Sequence, residues 1–246
     1  MNNKVVVIIQ ARMQSLRLPG KVLRKVLGKP LLEYLVDRIK KSKLTDEIVI
    51  ATTTNEADNE IADFCKKYKV KFFRGPEDDV LLRYFQTSIE FEANHIVRIC
   101  SDSPLLDPRV LDDMLEIYLN NGPYDYLSNT VDQTYPLGMN IEIFPFSILS
   151  FLNQNCIKEY EREHVTPYIY THPKKFKMYI KHLNKNYSNL RLTVDEIEDF
   201  LVVKEIIESL YKLNPNFGLK DILNLYEINP RLFDLNANIL QKKYND

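Results

Sequence analysis

The tightest constraint lies at the start of the chain. There the run Val5-Val6-Val7-Ile8-Ile9 leads directly into Gln10-Ala11-Arg12-Met13-Gln14-Ser15-Leu16-Arg17-Leu18-Pro19-Gly20-Lys21. An unbroken apolar, β-branched run predicts a buried strand. The loop after it carries Arg12, Arg17 and Lys21, a hydroxyl at Ser15 and a single glycine. Residues 31–41 then read as a helix. A strand, a cationic loop and a helix in this order mark the place where an α/β sheet binds phosphate, at the carboxyl end of a strand. The spacing is neither G-x-x-x-x-G-K-[ST] nor G-x-G-x-x-G, so charge neutralisation falls to side chains rather than to a glycine-rich backbone cradle. The alternative is an ordinary basic surface loop, and the interleaved Leu16, Leu18 and Pro19 weigh against it.

The first half continues the alternation. Strands are expected over 5–9, 47–51, 70–73 and 95–100. Between them lie the apolar stripes of Leu31, Leu35 and Ile39, of Ile61, Phe64, Cys65 and Tyr68, and of Val80, Tyr84 and Ile89. Strands separated by helices predict an α/β fold with a mainly parallel central sheet and right-handed crossovers. A further helix is expected over 107–119. From about Tyr124 the pattern changes, with strands over 124–127, 139–144 and 177–180 and helices over 145–152 and 160–170. Residues 135–181 read as an inserted subdomain, after which the sheet resumes at 191–194. A helix follows, and residues 214–246 are expected to wrap the outside. The whole chain, 1–246, reads as one domain.

Composition narrows the partners. Lys and Arg number 33 against 34 Asp and Glu, a formal net charge of -1. No general attraction to nucleic acid or to a membrane surface follows from that balance, and cations gathered in one loop suit a small anion. No apolar run approaches the ~20 residues of a membrane span. The three cysteines, Cys65, Cys100 and Cys156, show no C-x-x-C spacing. An odd count without an apolar leader predicts free thiols and a cytoplasmic location.

Four segments together resemble one family. Ala11-Arg12 through Ser15, with Arg17-Leu18-Pro19-Gly20-Lys21, is similar to the signature loop of the nucleotidyltransferases that make CMP-activated sugar acids. These are the CMP-Kdo and CMP-sialate synthetases, together with the cytidylyltransferase-like proteins of spore coat polysaccharide biosynthesis. Arg98-Ile99-Cys100-Ser101-Asp102-Ser103-Pro104 resembles the family's strand and metal-binding turn. Arg191-Leu192-Thr193-Val194-Asp195 resembles its second acidic segment, and Arg162-Glu163-His164-Val165-Thr166-Pro167-Tyr168 a segment of the spore coat branch. The resemblance implies a Rossmann-like nucleotidyltransferase fold and Mg²⁺-dependent transfer of CMP from CTP to a sugar acid or related anionic acceptor. It also implies release of pyrophosphate, a place in surface glycan synthesis, and a homodimer whose contact lies in the insertion.

Such a transfer needs cations on the leaving pyrophosphate and carboxylates for a metal. The resemblance makes Asp102 and Asp195 the Mg²⁺ ligands. Read from the charge of the loop, Arg12, Arg17 and Lys21 hold the triphosphate, so Arg12 and Lys21 join the two acids as catalytic candidates, while Ala11, Ser15, Arg17, Arg98 and Ser101 are candidates for the nucleotide side. Asp102 and Asp195 each follow an expected strand and so fall at the carboxyl edge of the sheet. Two structural readings stand beside these roles: Asp102-Ser103-Pro104 as turn chemistry, and Asp195 as a helix cap. Arg98 either fixes the nucleotide, supports the metal site, or pairs with a buried acid. On the acceptor side the candidates are Asn140, Glu142, Arg162 and His164. Arg162 is expected to meet the acceptor's anionic group, while His164 either handles a hydroxyl proton or serves a helix face or subunit contact. One departure stands out. The family commonly continues its second Asp with Thr-Pro-Glu-Asp, and here Asp195 is followed by Glu196-Ile197-Glu198-Asp199, without proline at the helix start. A glycosyltransferase of related fold and a non-catalytic nucleotide-binding protein are the alternatives. The first usually carries Asp-x-Asp where this chain has Asp102-Ser103-Pro104, and the retained cations and acids speak against the second.

Overall fold

A computed structural model describes residues 3–241. The first strand, β1 (Val5–Gln10), is followed by the cationic loop and by a tight hairpin of β2 (Lys25–Val26) and β3 (Lys29–Pro30). Leu27 and Gly28 make the hairpin turn with φ of 50° and 79°, the left-handed pair that matches strand twist. Then come α1 (Leu31–Ile39), β4 (Glu47–Thr53), α2 (Asn59–Tyr68), β5 (Lys71–Gly75), α3 (Val80–Glu90), β6 (His95–Cys100) and α4 (Pro108–Asn121). The alternation read from the sequence is therefore present, with boundaries moved by a few residues.

The central sheet has seven strands in the order β5-β4-β1-β6-β8-β7-β9, completed by β7 (Tyr126–Ser128), β8 (Glu142–Pro145) and β9 (Met178–Ile180). Strand β1 pairs in parallel with β4 on one side and β6 on the other. Val5 through Ile9 are buried because helices cover both faces, which is why the run does not alternate with polar residues. The chain builds outward through β4 and β5, then returns across β1 to β6. That reversal makes the β1–β6 boundary the switch point where an open α/β sheet leaves a crevice. Gln10 registers with both Ala51 and Cys100, so β1 and β6 end level while β4 runs two residues further.

Segment 135–181 contributes β8, running antiparallel to β6, and β9, parallel to β7, so its strands extend the central sheet. It also holds α5 (Phe146–Asn155), α6 (Glu159–His164) and α7 (Pro167–Thr171). The single helix expected over 160–170 is thus two. Val165 takes φ of 71°, which breaks the helix there, and Pro167 lacks the backbone N–H that would continue its ladder. The Thr166 hydroxyl instead donates to Glu142 Oε1 at 2.5 Å.

The sheet does not resume at 191–194. That segment makes one isolated bridge, Arg191 with Leu137, where Leu192 N–H donates to Leu137 O at 2.7 Å. It runs beside the sheet's edge instead of joining it, and leads into α8 (Ile197–Leu210). Near the carboxyl terminus, α9 (Leu219–Ile228) and a short 3₁₀ turn, Pro230–Leu235, lie on α8 through Phe217, Ile222, Leu232 and Phe233. This is the expected wrap over the described part of 214–246; residues 242–246, like 1 and 2, lie outside the described residues. No helix among the described residues is long and apolar enough to cross a membrane.

Gly138 makes the bridge possible. Its φ is 95°, and a Cβ there would sit 2.5 Å from the Leu192 carbonyl carbon and 2.6 Å from Thr193 N. Both contacts are with backbone, which cannot rotate away. Gly138→Ala is therefore expected to cost about 2 kcal/mol or more, read as a lowered urea midpoint with unchanged m.

Candidate active site

The cationic loop is shaped by its own backbone and by one buried acid. Met13 N–H donates to Asp58 Oδ1 at 2.6 Å, and Asp58 also accepts from Thr53 at the end of β4. Met13 O accepts from Ser15 N (3.1 Å) and Gly20 N (2.9 Å), so the loop doubles back on itself. Gly20 turns it with φ of 68°. Lys21 then opens a short 3₁₀ turn and points back at the sheet edge. Ala11 N–H donates to Ala51 O, which ties the start of the loop to the end of β4. The Ser15 hydroxyl accepts from Leu18 N at 3.4 Å inside the loop. An open cavity of about 500 Å³ lies against this loop, with Met13, Ser15 and Gly20 on one wall and Ala57 among its other lining residues.

Two acids converge on the loop. Lys21 Nζ lies 2.8 Å from Asp195 Oδ1 and 3.3 Å from Asp102 Oδ2. Arg17 reaches Asp195 Oδ1 at 3.1 Å and Glu196 Oε1 at 3.3 Å. The segments bearing the acids are joined by main chain: Val194 N–H donates to Asp102 O at 2.8 Å, and the Thr193 hydroxyl to the same oxygen at 3.3 Å. Burial alone would lower the Lys21 ammonium, but the charges of Asp102 and Asp195 outweigh it and hold the pKa above its ordinary value. Lys21 is thus charged throughout the neutral range.

Each acid keeps an oxygen for the loop cations, although Asp102 Oδ1 also accepts from the Ser103 hydroxyl at 3.3 Å. The turn after β6 is closed by Ser103 N–H to Cys100 O, which leaves Asp102 Oδ2 for Lys21. Helix α8 is capped by Glu196 and Asp199, not by Asp195. Asp199 Oδ2 accepts from both Asp195 N (3.0 Å) and Glu196 N (3.1 Å), so the helix starts without the family's proline and Asp195 keeps its carboxylate free of the cap. Fully buried Asp199 takes a bidentate pair of bonds from Arg191, 3.0 Å each, and a third from Asn236 Nδ2 at 2.8 Å. Arg191 also approaches Asp195 Oδ2 at 3.6 Å. Arg191, Asn236 and Asp58 hold the site in place, yet no periodicity in the sequence marks them. Their partners lie in segments that only the fold brings near.

Arg12 diverges from the other two cations. Half exposed, it faces Glu163 Oε1 of α6 at 3.9 Å. Ser101 is buried, and its N–H extends the β6–β1 ladder to Gln10 O. For Arg98 the buried-pair reading holds. It registers opposite Glu142 across β6 and β8 and bonds to it, with a further contact to Gln10 Oε1 at 3.2 Å. Burial would lower the guanidinium, yet the Glu142 carboxylate keeps it well above its ordinary value.

The acceptor candidates need correction. Glu142 is buried and fully engaged by Arg98, the Tyr126 hydroxyl and the Thr166 hydroxyl. Asn140 Oδ1 accepts from Gly138 N at 3.1 Å and shapes its own turn. Arg162, expected to meet an acceptor anion, instead locks α6 to α3. Its Nε and Nη2 both donate to Asp79 Oδ2 at 2.8 and 2.6 Å, while Nη1 reaches the carbonyls of Asn153 and Cys156. Asp79 is the residue whose side chain caps α3, so the guanidinium has a structural partner at every nitrogen. His164 alone of the four lies within electrostatic reach of the loop's Arg12. It is half buried, and burial lowers its pKa against the opposing pull of Glu163, with Arg98 and Arg12 adding to the lowering.

The donor set fits a small divalent cation. Among the described residues there is no group of three or more His, Cys, Asp and Glu side chains able to cage a metal. Mg²⁺ held beside phosphates needs only one or two carboxylates, and Asp102 and Asp195 converge on one cation, here the Lys21 ammonium.

Comparison with known proteins identifies the family and the fold. The family model described as cytidylyltransferase matches residues 6–234. The chain is 32% identical to the spore coat polysaccharide biosynthesis protein SpsF of Bacillus subtilis, over 93% of this chain and 96% of that one. A cytidylyltransferase structure from Leptospira borgpetersenii serovar Hardjo-bovis superposes with a TM-score of 0.90 at 34% identity, covering 98% of this chain and 99% of that chain. A CMP:2-keto-3-deoxy-manno-octonic acid synthetase complexed with CTP shares the fold, with a TM-score of 0.63 at 15% identity over 84% of this chain and 99% of its own.

Asp199 provides a test of the support beneath the site. Its pKa lies below the ordinary carboxylate value: burial pushes it up, and the Arg191 bonds pull it down further. A depressed folded pKa gives stability that is present above the unfolded value near ~4 and is lost as pH falls through the folded one. Asp199→Ala is expected to lower stability by about 3–5 kcal/mol at neutral pH, since it strands buried Arg191. Denaturant titrations should also show a smaller loss of stability below pH ~4 than in the parent protein.

Proposed function

The chain belongs to the cytidylyltransferase family, and from that premise we propose that it transfers CMP from CTP to a hydroxyl of a sugar acid or related anionic acceptor. In that reaction the acceptor oxygen forms a bond to the α-phosphorus, the bond to the β-phosphate bridging oxygen breaks, and pyrophosphate departs. The observation that carries the reading is the Lys21 ammonium set between Asp102 and Asp195, with Arg17 alongside. Arg12, Arg17 and Lys21 neutralise the triphosphate and the charge that grows on the leaving pyrophosphate. Asp102 and Asp195 would hold Mg²⁺, which when bound supplies charge neutralisation at the phosphate oxygens. The support is the convergence of their oxygens on one cation. Burial lowers the His164 pKa, which favours the neutral imidazole. It can then accept a hydroxyl proton from an acceptor lying between α6 and the loop.

Similarity to SpsF favours an acceptor destined for surface polysaccharide. Free Cys65, Cys100 and Cys156, the first and last buried, suit a reducing cytoplasm. Aromatic side chains on segment 135–181 support a homodimer built there. Phe151, Tyr168 and Phe176 form one partly exposed cluster in which Tyr168 also stacks on His172 at 4.1 Å. Enrichment of such residues is a mark of interfaces.

Pyrophosphate release with CTP, Mg²⁺ and a panel of sugar acids tests the reaction. CTP should be preferred over ATP, GTP and UTP. Asp102→Asn and Asp195→Asn should each lower kcat by about 100-fold or more while circular dichroism stays unchanged. Full activity in either variant removes that residue from the catalytic role.

The oligomeric reading is checked by light scattering. We expect twice the chain mass at micromolar concentration, and a shift toward monomer in Tyr168→Glu, which sets a charge in the aromatic cluster. A monomer in the parent protein would remove the dimer.

A further inference from the structure

A second cavity lies at the opposite edge of the sheet from Asp102. It has a volume of about 280 Å³ and is lined by Lys29, Tyr34, Asp37, Arg38, Lys41, Tyr211 and Pro215. Helix α1 runs back from the carboxyl edge, so Arg38 and Lys41 at its far end fall near the amino edge. The connection after them confirms this, because Asp46 exchanges two hydrogen bonds with Val5 at the start of β1. Tyr211 stands just past α8, whose 14 residues span about 21 Å from the Asp195 end.

The charges in this cavity are unevenly answered. Lys29 is bonded to Asp37 and lies 3.9 Å from Glu33, so the carboxylates there are matched. Arg38 and Lys41 are hydrogen-bonded only to neutral oxygens, and the Arg38 guanidinium also lies over the Phe217 ring, 4.2 Å from its centroid. Arg38 Nη1 donates to Phe217 O at 2.7 Å, and Lys41 Nζ to Asn216 Oδ1 at 2.6 Å and Pro215 O at 3.4 Å. Arg38 is only 5% exposed, and its Nη2 has no hydrogen-bond partner. Two acids act on Arg38 through space, but Asp107 is taken by Arg109 and by Leu219 N–H, and Asp221 accepts from Gly218 N–H. Burial pushes Arg38 down to about 10, and burial together with the Arg38 charge lowers Lys41. A guanidinium so deeply placed is normally paired, because a buried donor left unmade costs about 1–3 kcal/mol or more.

We propose that this cavity is a second anion site, distinct from the catalytic crevice, which takes a phosphate-type dianion, free or carried on a small phosphorylated metabolite. Exposed Lys41 Nζ supplies a charge-assisted bond, and the buried Arg38 guanidinium at the cavity wall adds positive charge. The rings of Tyr34 and Tyr211, set edge to face with centroids 5.2 Å apart, form the apolar wall. The volume falls just below the ~300–1,000 Å³ of pockets for drug-sized ligands, which limits any organic part to about the size of a pentose.

Calorimetric titration of the full chain with inorganic phosphate and, separately, ribose 5-phosphate tests the site. It is run in a Lys21→Met background so that the catalytic loop contributes little. Binding should persist in that background and weaken roughly tenfold or more when Lys41→Met is added. Arg38→Met should abolish it, and exposed Lys41 keeps the test decisive if the Arg38 variant does not fold. Tighter binding of ribose 5-phosphate assigns the site to phosphorylated metabolites; equal affinities assign it to the free anion. No binding of either up to about 20 mM, or an affinity unchanged by Lys41→Met, overturns the proposal.

Discussion

The site depends on one main-chain hydrogen bond, Val194 N–H to Asp102 O, because it brings two carboxylates from distant segments to the same ammonium. Two acids so close repel, and the repulsion grows as water is excluded. Lys21 and Arg17 remove it from the loop side, and Arg191 approaches from below. The architecture behind Asp195 is therefore mostly electrostatic support. Asp199 holds Arg191, Asn236 ties Asp199 to the Arg191 carbonyl, and both N–H groups at the head of α8 lean on the same Asp199 oxygen. Gly138 admits the backbone of 192–193 close enough for this frame to form.

A second buried charge pair plays the corresponding part on the other side of β6. Arg98 and Glu142 face each other across antiparallel strands, and Glu142 also gathers hydroxyls from Tyr126 and Thr166. Removing two charges from water is costly, and an apolar pair of equal volume would be at least as stable. What the pair adds is registration. It connects the strand that delivers Asp102 to the break between α6 and α7, and hence to the helix that carries Glu163 and His164 toward the loop.

The sequence was most legible where chemistry and periodicity coincide. The β-branched run of β1, the helical stripes and the acid at the end of β6 are each local signals, and each marks its element to within a few residues. The cations and acids of the loop and turns were recognisable as a group by resemblance. Long-range partners were hidden. Arg162 looks like a free cation in the sequence, but its partner Asp79 comes from a distant helix cap. Residues 191–194 alternate like a strand, yet only one bridge forms, because the backbone bonds there go to Leu137 and Asp102. A β-branched, alternating segment satisfies a strand template whether or not a neighbouring strand has room for it.

The same distinction governs how charge is read. A chain with 33 cations and 34 anions is nearly neutral, yet neutrality overall leaves open how each cation is matched locally. Lys21 and Arg17 are matched by carboxylates, so a triphosphate arriving there competes with Asp102 and Asp195 for them. Binding is favourable only if those two acids are neutralised in another way, and that requirement is why a divalent cation belongs in the proposed reaction. Arg38 and Lys41 are hydrogen-bonded by carbonyl oxygens alone. An anion reaching them displaces no acid and needs no metal. The two sites therefore differ in kind: one is built to exchange partners during a reaction, the other to hold a charge that the fold leaves unanswered.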